Sequence, residues 1–148
     1  MLTQDNRLVS ISTPLGDDEL ALYSAEVVED LAQPFSIKVE LISENDNITL
    51  DDLLGQNVTI SLQREDDSRY FNGFVTEFYQ LSNSDRFSRY GAIIKPWFWL
   101  LNLSENSRIF QEKSYPDIIK EVFDELGFSD YKDSLIASYQ PQEYIVQF

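Results

Sequence analysis

The sequence contains neither cysteine nor histidine. Without cysteine the chain forms no disulfide bond and offers no thiolate nucleophile, so its stability must come from packing. Without histidine it lacks the commonest general base, the Ser-His-Asp and Cys-His catalytic arrangements, and the usual zinc ligand. Any catalysis by this chain would therefore rest on carboxylates.

Basic residues are scarce. There are 11 lysines and arginines against 26 aspartates and glutamates, which gives a formal net charge of −15. The basic residues are dispersed along the sequence, whereas nucleic-acid binding draws its affinity from clusters of Lys and Arg. This charge balance argues against nucleic acid and against anionic membranes as partners.

Long apolar runs are missing as well. The longest, WFWLL at residues 97–101, is far shorter than the roughly 20 residues of a membrane-spanning helix. The N-terminal stretch MLTQDNRLVS has neither the basic nor the apolar region of a secretory signal peptide. We expect no stable membrane insertion of this chain and no export by the general secretory route.

What the sequence does contain is enough apolar material for a folded core. It has 148 residues, of which 43% are hydrophobic and 14% aromatic. A chain of this length buries roughly two-thirds of the surface that it exposes when unfolded. No repeat, low-complexity tract or linker divides the sequence, so we predict a single domain over residues 1–148.

Alternating apolar residues predict β-strands. PFSIKVELIS places an apolar residue at every second position from Phe35 to Leu41, and NVTISLQ does so from Val58 to Leu62. The charged turn REDDSR joins the latter to YFNGFVTEFYQL, which predicts an antiparallel hairpin. LVSIST, LALYSAEVVE, YGAIIKPWFWLL and EYIVQF also have strand character, and short strands at this spacing usually form a barrel or sandwich. The predicted fold class is mainly β (α+β), an antiparallel barrel-like domain.

Two helices interrupt the strand pattern. TLDDLLG predicts a short helical turn, with Thr49 as N-cap and Asp52 three residues later. SYPDIIKEVFDELG predicts one principal helix from Ser114 to Leu126, because Ser114 can cap it, a proline lies in its first turn and Gly127 can end it.

Carboxylates occur in small groups that could in principle serve glycoside hydrolysis or hold a hard cation. Each group lies in a predicted turn or on an exposed helix face, which is typical of a solvated surface. We therefore predict no catalytic residue, no cofactor, no metal and no hydrolase activity. The groups are Asp17-Asp18-Glu19, Asp51-Asp52, Glu65-Asp66-Asp67 and Asp124-Glu125.

The aromatic run at residues 97–101 has three interpretations. Its side chains fill the barrel core, or part of the run reaches a subunit or helix interface, or it contacts a membrane. On a continuous strand Trp97 and Trp99 would share one face, with Phe98 on the other. Pro96 cannot donate to a strand ladder, so the strand should end, kink or lie at an edge there.

The role of the Arg108 side chain has two interpretations. It is either a surface charge paired with a neighbouring acid, or part of a buried or interfacial Arg-carboxylate pair, since a guanidinium can bridge a carboxylate with two hydrogen bonds.

Several segments together resemble one family. PFSIKVELIS, LLGQNVTISL, YFNGFVTEFYQL, KPWFWLLNLSENSRIFQEKSYPDIIKEVFDELG and YQPQEYIVQF follow one another as in the N-terminal part of VgrG, the tip protein of type VI secretion systems, which is itself similar to the baseplate hub of contractile phages. The resemblance implies an N-terminal fragment of the hub region, containing the first barrel and its helical excursion. The OB-like and β-helix needle domains of the family are absent from this sequence.

The resemblance also implies a structural role. The full protein would form a homotrimer that caps a tube of Hcp rings, supports the puncturing spike, and meets baseplate and effector proteins. It would assemble in the bacterial cytoplasm and then be secreted to the extracellular space or the target cell. The candidate interface or core residues are Trp97, Phe98, Trp99, Arg108, Phe110 and Tyr144.

Two alternatives from other classes remain. A baseplate hub protein of a contractile phage or phage-like particle would share every segment quoted. A free-standing acidic protein-binding domain would account for the charge alone. It should be a stable monomer, whereas a hub fragment should expose apolar surface that its partners cover.

Overall fold

The computed structural model describes residues 2–83 and 86–147. The chain divides into two compact units, Met1–Leu100 and Leu101–Phe148, and every strand pairing joins residues of the same unit. Whether these units act as one domain, as the sequence indicates, stays a prediction.

The first unit is a six-stranded antiparallel sheet with the strand order β1-β4-β5-β6-β3-β2. The sheet is nearly closed and barrel-like, which confirms the predicted fold class. Its strands are β1 (Val9–Ser12), β2 (Ala21–Val28), β3 (Ser36–Ser43), β4 (Asn57–Gln63), β5 (Ser68–Asn83) and β6 (Ser88–Lys95). The predicted hairpin is the pair β4 and β5, and the turn between them is closed by the Arg64 N–H donating to the carbonyl of Asp67 at 2.8 Å.

The core of this unit follows the predicted alternation. Ile37, Val39 and Leu41 of β3 are fully buried, and Val58 and Ile60 of β4 are buried in the same way. Side chains from all six strands meet in one cluster, since alternate residues of a strand face the same side. The alternation of apolar and polar residues therefore gives each strand one apolar face, and these faces line the interior of the sheet.

The two end strands, β1 and β2, are not paired with each other through their backbones. The side-chain amide of Gln4 lies between them. It bonds to backbone groups of Ile11 on β1 and of Leu22 on β2. We call this junction the seam of the barrel.

The predicted short helical turn is present as a 3-10 helix, Leu50–Asp52, with Thr49 as its N-cap. The Asp52 carboxylate accepts hydrogen bonds from the Thr49 N–H and hydroxyl, both at 2.8 Å. Gly55 follows with a φ of 75°, a conformation that glycine adopts without strain.

β6 ends at Lys95, and after Pro96 the backbone changes from a strand to a helix. Residues Trp97–Leu100 form a short helix, α1, instead of continuing the strand. Of the three interpretations of the aromatic run, the one that places its side chains in the barrel core is therefore wrong, since none of Trp97, Phe98 or Trp99 is buried. Proline supplies no N–H for the ladder and fixes φ at a value compatible with the start of a helix, so the strand stops there.

The second unit contains the principal helix, α2 (Tyr115–Glu125). Ser114 caps it, since its hydroxyl oxygen accepts from the Asp117 N–H at 3.4 Å, and Gly127 follows its end with a φ of 79°. A 3-10 turn, Leu101–Leu103, precedes a two-stranded antiparallel sheet of β7 (Arg108–Phe110) and β8 (Ile145–Gln147). The last predicted strand, EYIVQF, is thus confirmed at Ile145–Gln147 only; Glu143 and Tyr144 precede the strand, and Phe148 lies outside the described residues.

Candidate assembly surfaces

A groove of about 510 Å³ opens beside α1 at one end of the first unit. Phe98 is 49% exposed there, and Leu31, in the loop that precedes the groove residues, is 99% exposed. Contiguous patches of exposed apolar side chains are typical of surfaces that a partner covers. We call this site the Phe98 groove; it is lined by Ala32, Gln33, Pro34, Phe35, Pro96 and Phe98.

The two tryptophans flank Phe98 on α1. The Trp97 ring meets the Phe98 ring edge-on, with centroids 5.9 Å apart and planes at 81°. The ammonium of Lys95 lies 4.2 Å from the centre of the Trp99 ring, a cation–π contact. Both tryptophans are half-buried, so each combines packing within the unit with an exposed edge.

In the second unit Arg108 joins three elements. Its Nε donates to Gln147 Oε1 at 3.2 Å across the β7–β8 pair, and its Nη1 donates to the Glu125 carboxylate at the end of α2. The guanidinium carbon also lies 4.8 Å from the centre of the Phe110 ring. Arg108 is 23% exposed and Glu125 is 48% exposed, so the pair is an intermediate case between the two interpretations of the sequence.

Phe110 is the buried member of the candidate set, with 4% of its side chain exposed. Arg108 covers one part of it and the Lys113 ammonium lies 5.8 Å from the ring centre. Lys113 in turn pairs with Glu121 of α2. Tyr144, in contrast, is 56% exposed and precedes β8. The second unit thus places Phe110 in its interior and Tyr144 on its surface.

An apolar face of α2 remains exposed. Tyr115 and Ile119 are each more than half exposed on the helix, and Leu135 and Ile136 are exposed in the segment that follows. This segment lies against α2 through the edge-to-face pair Phe123 and Tyr131, whose centroids are 5.2 Å apart.

A salt bridge also holds this segment to α2. The Lys120 ammonium donates to the Asp133 carboxylate, and this hydrogen bond raises the pKa of Lys120 and lowers that of Asp133. The bridge thus joins the segment to α2 beside these exposed apolar side chains.

The acidic groups named from the sequence lie on the surface, except that Asp18 of the group Asp17-Asp18-Glu19 is half-buried. Asp51, Asp52, Asp124 and Glu125 are exposed, as is the turn that contains Glu65. Within residues 2–83 and 86–147, no cluster of three or more acidic side chains has a geometry that would hold a metal ion. No helix in this part of the chain is long and apolar enough to cross a membrane.

Residues 28–148 match the family model described as phage tail baseplate hub (GPD). The chain belongs to this family of hub proteins. The match covers most of the barrel and all of the second unit, so every candidate residue from Trp97 to Tyr144 falls within it.

The relatives of this hub chain include spike proteins of type VI secretion. It is 45% identical to spike protein VgrG1b of Pseudomonas aeruginosa over 99% of its own length and 20% of that protein. Spike protein VgrG1c of the same organism is 42% identical over 100% of the chain and 20% of the relative. Spike protein VgrG3 of Vibrio cholerae is 30% identical over 77% of the chain and 11% of the relative. The chain thus spans about a fifth of the length of the first two.

A solved structure shares the fold. The E. coli c3393 protein is described as a component of the type VI secretion system with structural similarity to the T4 bacteriophage tail proteins gp27 and gp5. It matches with a TM-score of 0.81 and 23% identity, over 93% of this chain and 38% of that one. The recognition of the hub family from quoted segments is thereby confirmed in both sequence and fold.

Sequence reasoning missed two residues, Leu31, which directly precedes the residues that line the Phe98 groove, and Gln4, which lies at the seam. Leu31 lies in a loop and follows no period, so no pattern distinguishes it from a core leucine. Gln4 lies in a polar stretch, TQDNR, that predicts only a solvated N-terminus. Neither carries a signal that one sequence could reveal.

Proposed function

We propose that this chain is the N-terminal hub portion of a type VI secretion spike protein. Three copies would cap a tube of Hcp rings and support the puncturing spike. The observation that carries this proposal is the similarity to VgrG1b and VgrG1c along the whole chain, since it includes the barrel, the aromatic helix α1 and the second unit. The family itself is a structural one, which fits a role in assembly.

The exposed apolar surfaces support the proposal. A free-standing acidic domain has no need for a groove beside Phe98 or for the exposed face of α2, because exposed apolar area costs solubility. In a hub these surfaces would be covered. We assign the Phe98 groove to the contact between copies and the outer face of α2 to the remainder of the spike protein.

The proposed life cycle follows from the same role. The protein would assemble in the bacterial cytoplasm with Hcp, baseplate and effector proteins, and would leave the cell through the secretion apparatus. The carboxylates would serve solubility and not turnover, so we propose no enzymatic activity for this chain.

The phage alternative rests on the family model, which describes a phage tail baseplate hub. In that role the same barrel would stand in the baseplate of a contractile particle. The two roles differ in the tube that the hub caps and not in the geometry of this chain.

The full-length gene product tests the proposal. Light scattering should show a trimer, and a bacterial strain that lacks its own spike protein should regain export of Hcp when the gene is supplied. Phe98→Asp should prevent trimer formation, whereas Leu54→Asp, an exposed leucine away from the groove, should not. A monomeric product that restores no export would contradict the secretion role. Incorporation into phage particles instead would favour the baseplate alternative.

A further inference from the structure

Gln4 uses the whole hydrogen-bonding capacity of its side-chain amide at the seam. Its Oε1 accepts from the N–H of Ile11 at 2.9 Å and from the N–H of Leu22 at 3.1 Å. Its Nε2 donates to the carbonyl of Ile11 at 2.9 Å and to the carbonyl of Leu20 at 3.3 Å. A primary amide has two acceptor positions and two donor hydrogens, and all four are engaged.

The amide thus takes the place of a strand. Ile11 pairs with Ile60 of β4, and Leu22 pairs with Leu41 of β3, so each strand has its inner neighbour. The N–H groups of Ile11 and Leu22 point to the other side, where a sheet would normally continue. Buried backbone groups that lack a partner cost about as much as a lost hydrogen bond, and Gln4 removes that cost on both strands at once.

Gln4 is held in position by polar contacts. Its backbone N–H donates to Asp18 Oδ1 at 2.8 Å, and its carbonyl accepts from the Arg7 N–H at 3.2 Å in a tight turn. The Arg7 guanidinium adds a bond of 3.1 Å to the carbonyl of Leu22. Leu2 is the one large apolar residue of residues 2–7 that is buried.

This contrasts with the rest of the barrel. The strands β3 and β6 share a ladder of seven residue pairs, from Ile37↔Ile94 to Ser43↔Ser88, and bury Val39, Leu41 and Ile94 almost completely. Segments held by few apolar contacts open at lower free energy than segments that share the core. The seam should therefore be the weakest junction of the sheet.

We propose that residues 2–7 form a releasable strap, and that its release opens the seam while the other strands stay folded. The released state exposes the outward N–H and C=O groups of Ile11 and Leu22. β2 continues from there as an edge whose residues Tyr23 to Val28 are all exposed. An unpaired edge is a template for pairing with another strand, and release of the strap lengthens the edge of β2 by Leu22. The proposal concerns the barrel alone and does not depend on the proposed function.

Amide hydrogen exchange of the unmodified 148-residue chain is the first test. The amides of Ile11 and Leu22 should exchange through a local opening that exposes little surface. Low concentrations of denaturant should therefore hardly increase their exchange rates. The amides of Val39 and Leu41 should exchange only with global unfolding. If the amides of Ile11 and Leu22 exchange with the same free energy of opening as the amide of Val39 at every denaturant concentration, the seam opens only with the whole barrel and the proposal is wrong.

Substitutions give the second test. Gln4→Glu keeps the shape and the acceptor but removes both donors, and it should accelerate exchange at Ile11 and Leu22 at least tenfold with little change at Val39. Asp18→Asn retains an acceptor oxygen for the Gln4 N–H and should have a smaller effect at the same two amides. Gln56→Glu, at an exposed position just before β4, makes the same charge change outside the seam and should leave both amides unchanged. An equal acceleration at all strands, or none in Gln4→Glu, would overturn the local strap.

Discussion

The ring of Tyr90 stacks on the ring of Phe78, with centroids 5.3 Å apart and planes 13° apart. Tyr90 is 1% exposed, and its hydroxyl donates to the carbonyl of Asn45 at 3.3 Å. One side chain of β6 therefore fills the barrel interior and also satisfies a polar group in the loop after β3.

Substitutions at Tyr90 should separate these two roles. Tyr90→Ala removes a fully buried aromatic ring and should lower the free energy of unfolding by about 3–5 kcal/mol. Tyr90→Phe keeps the stack and removes one long hydrogen bond, so it should cost about 0.5–1.5 kcal/mol. Urea unfolding followed by circular dichroism measures both. Equal costs for the two variants would show that the hydroxyl, and not the ring, is the main contribution.

Two glycines in neighbouring strands should differ in their tolerance of alanine. A Cβ at Gly73 would lie 2.6 Å from the backbone oxygen of Lys95, whereas a Cβ at Gly91 would meet the side-chain ring of Tyr79. A backbone oxygen in a strand ladder has little room to move, but the end of a side chain can rotate. We expect Gly73→Ala to lower the free energy of unfolding by about 1–3 kcal/mol and Gly91→Ala to cost less. Urea unfolding of both variants checks the order, and a larger loss in Gly91→Ala would contradict it.

The strands of the barrel could be predicted because their signal is local. Phe35 to Leu41 and Val58 to Leu62 alternate strictly, and a half-buried strand requires that alternation. The same holds for α2, where Ser114 and Gly127 mark both ends. A barrel-like sheet was predicted, but the way in which it closes could not be, since it depends on hydrogen bonds of the Gln4 side chain with Ile11 and Leu22, which follow it at different distances along the chain.

The aromatic run shows where local reasoning fails. Aromatic residues favour strands, and five apolar residues after a strand resemble its continuation. Pro96 indicated the opposite, because a proline cannot donate to the strand ladder, and an end of the strand at that residue was one of the outcomes expected from the sequence. Since α1 turns by about 100° per residue, Trp97, Phe98 and Trp99 point in three directions, and no two of them share a face as they would on a strand.

Because they point in different directions from α1, Phe98 and Trp99 should respond differently to substitution by alanine. Phe98→Ala should hardly change the melting temperature, because half of the side chain is already exposed. Trp99→Ala should lower it more, since it loses packing and the contact with Lys95, which is worth about 0.5–1 kcal/mol at an exposed site. Thermal unfolding of the two variants tests the order. In the full-length protein the order should be reversed for trimer formation, and unchanged assembly of Phe98→Ala would remove the groove from the proposed interface.

The cap of the 3-10 turn should make stability depend on pH. The hydrogen bonds from Thr49 lower the pKa of Asp52 below its ordinary value of 3.8. A carboxylate whose pKa is lowered by folding stabilises the fold above its unfolded pKa, and that contribution is lost as the pH falls through the folded pKa. Asp52→Ala should therefore be less stable than the unmodified chain at pH 7, and the difference should shrink below pH 3.8. Urea unfolding of both proteins at the two pH values measures this, and an equal difference at both would contradict it. Asp51→Ala removes a neighbouring exposed carboxylate while keeping the cap, so it is the matched control for the loss of charge at pH 7.

The last prediction decides between the two interpretations of Arg108. If the pair with Glu125 is a surface contact, a double-mutant cycle of Arg108→Ala and Glu125→Gln should give a coupling of about 0.2–1 kcal/mol, and added salt should reduce it. Arg108→Lys should nevertheless cost nearly as much as Arg108→Ala. An ammonium cannot reproduce the planar fork that donates to both Gln147 and Glu125 while covering Phe110.

Amide exchange at Ile109 and Val146, the central pair of β7 and β8, reports on this site directly. Exchange there should accelerate similarly in Arg108→Ala and Arg108→Lys, and less in Glu125→Gln. We expect this order because Arg108 contacts both strands and the helix, whereas Glu125 accepts only one of the two hydrogen bonds of the guanidinium. A Lys variant with unchanged exchange would mean that the positive charge alone maintains the site, and the pair would then be an ordinary surface ion pair.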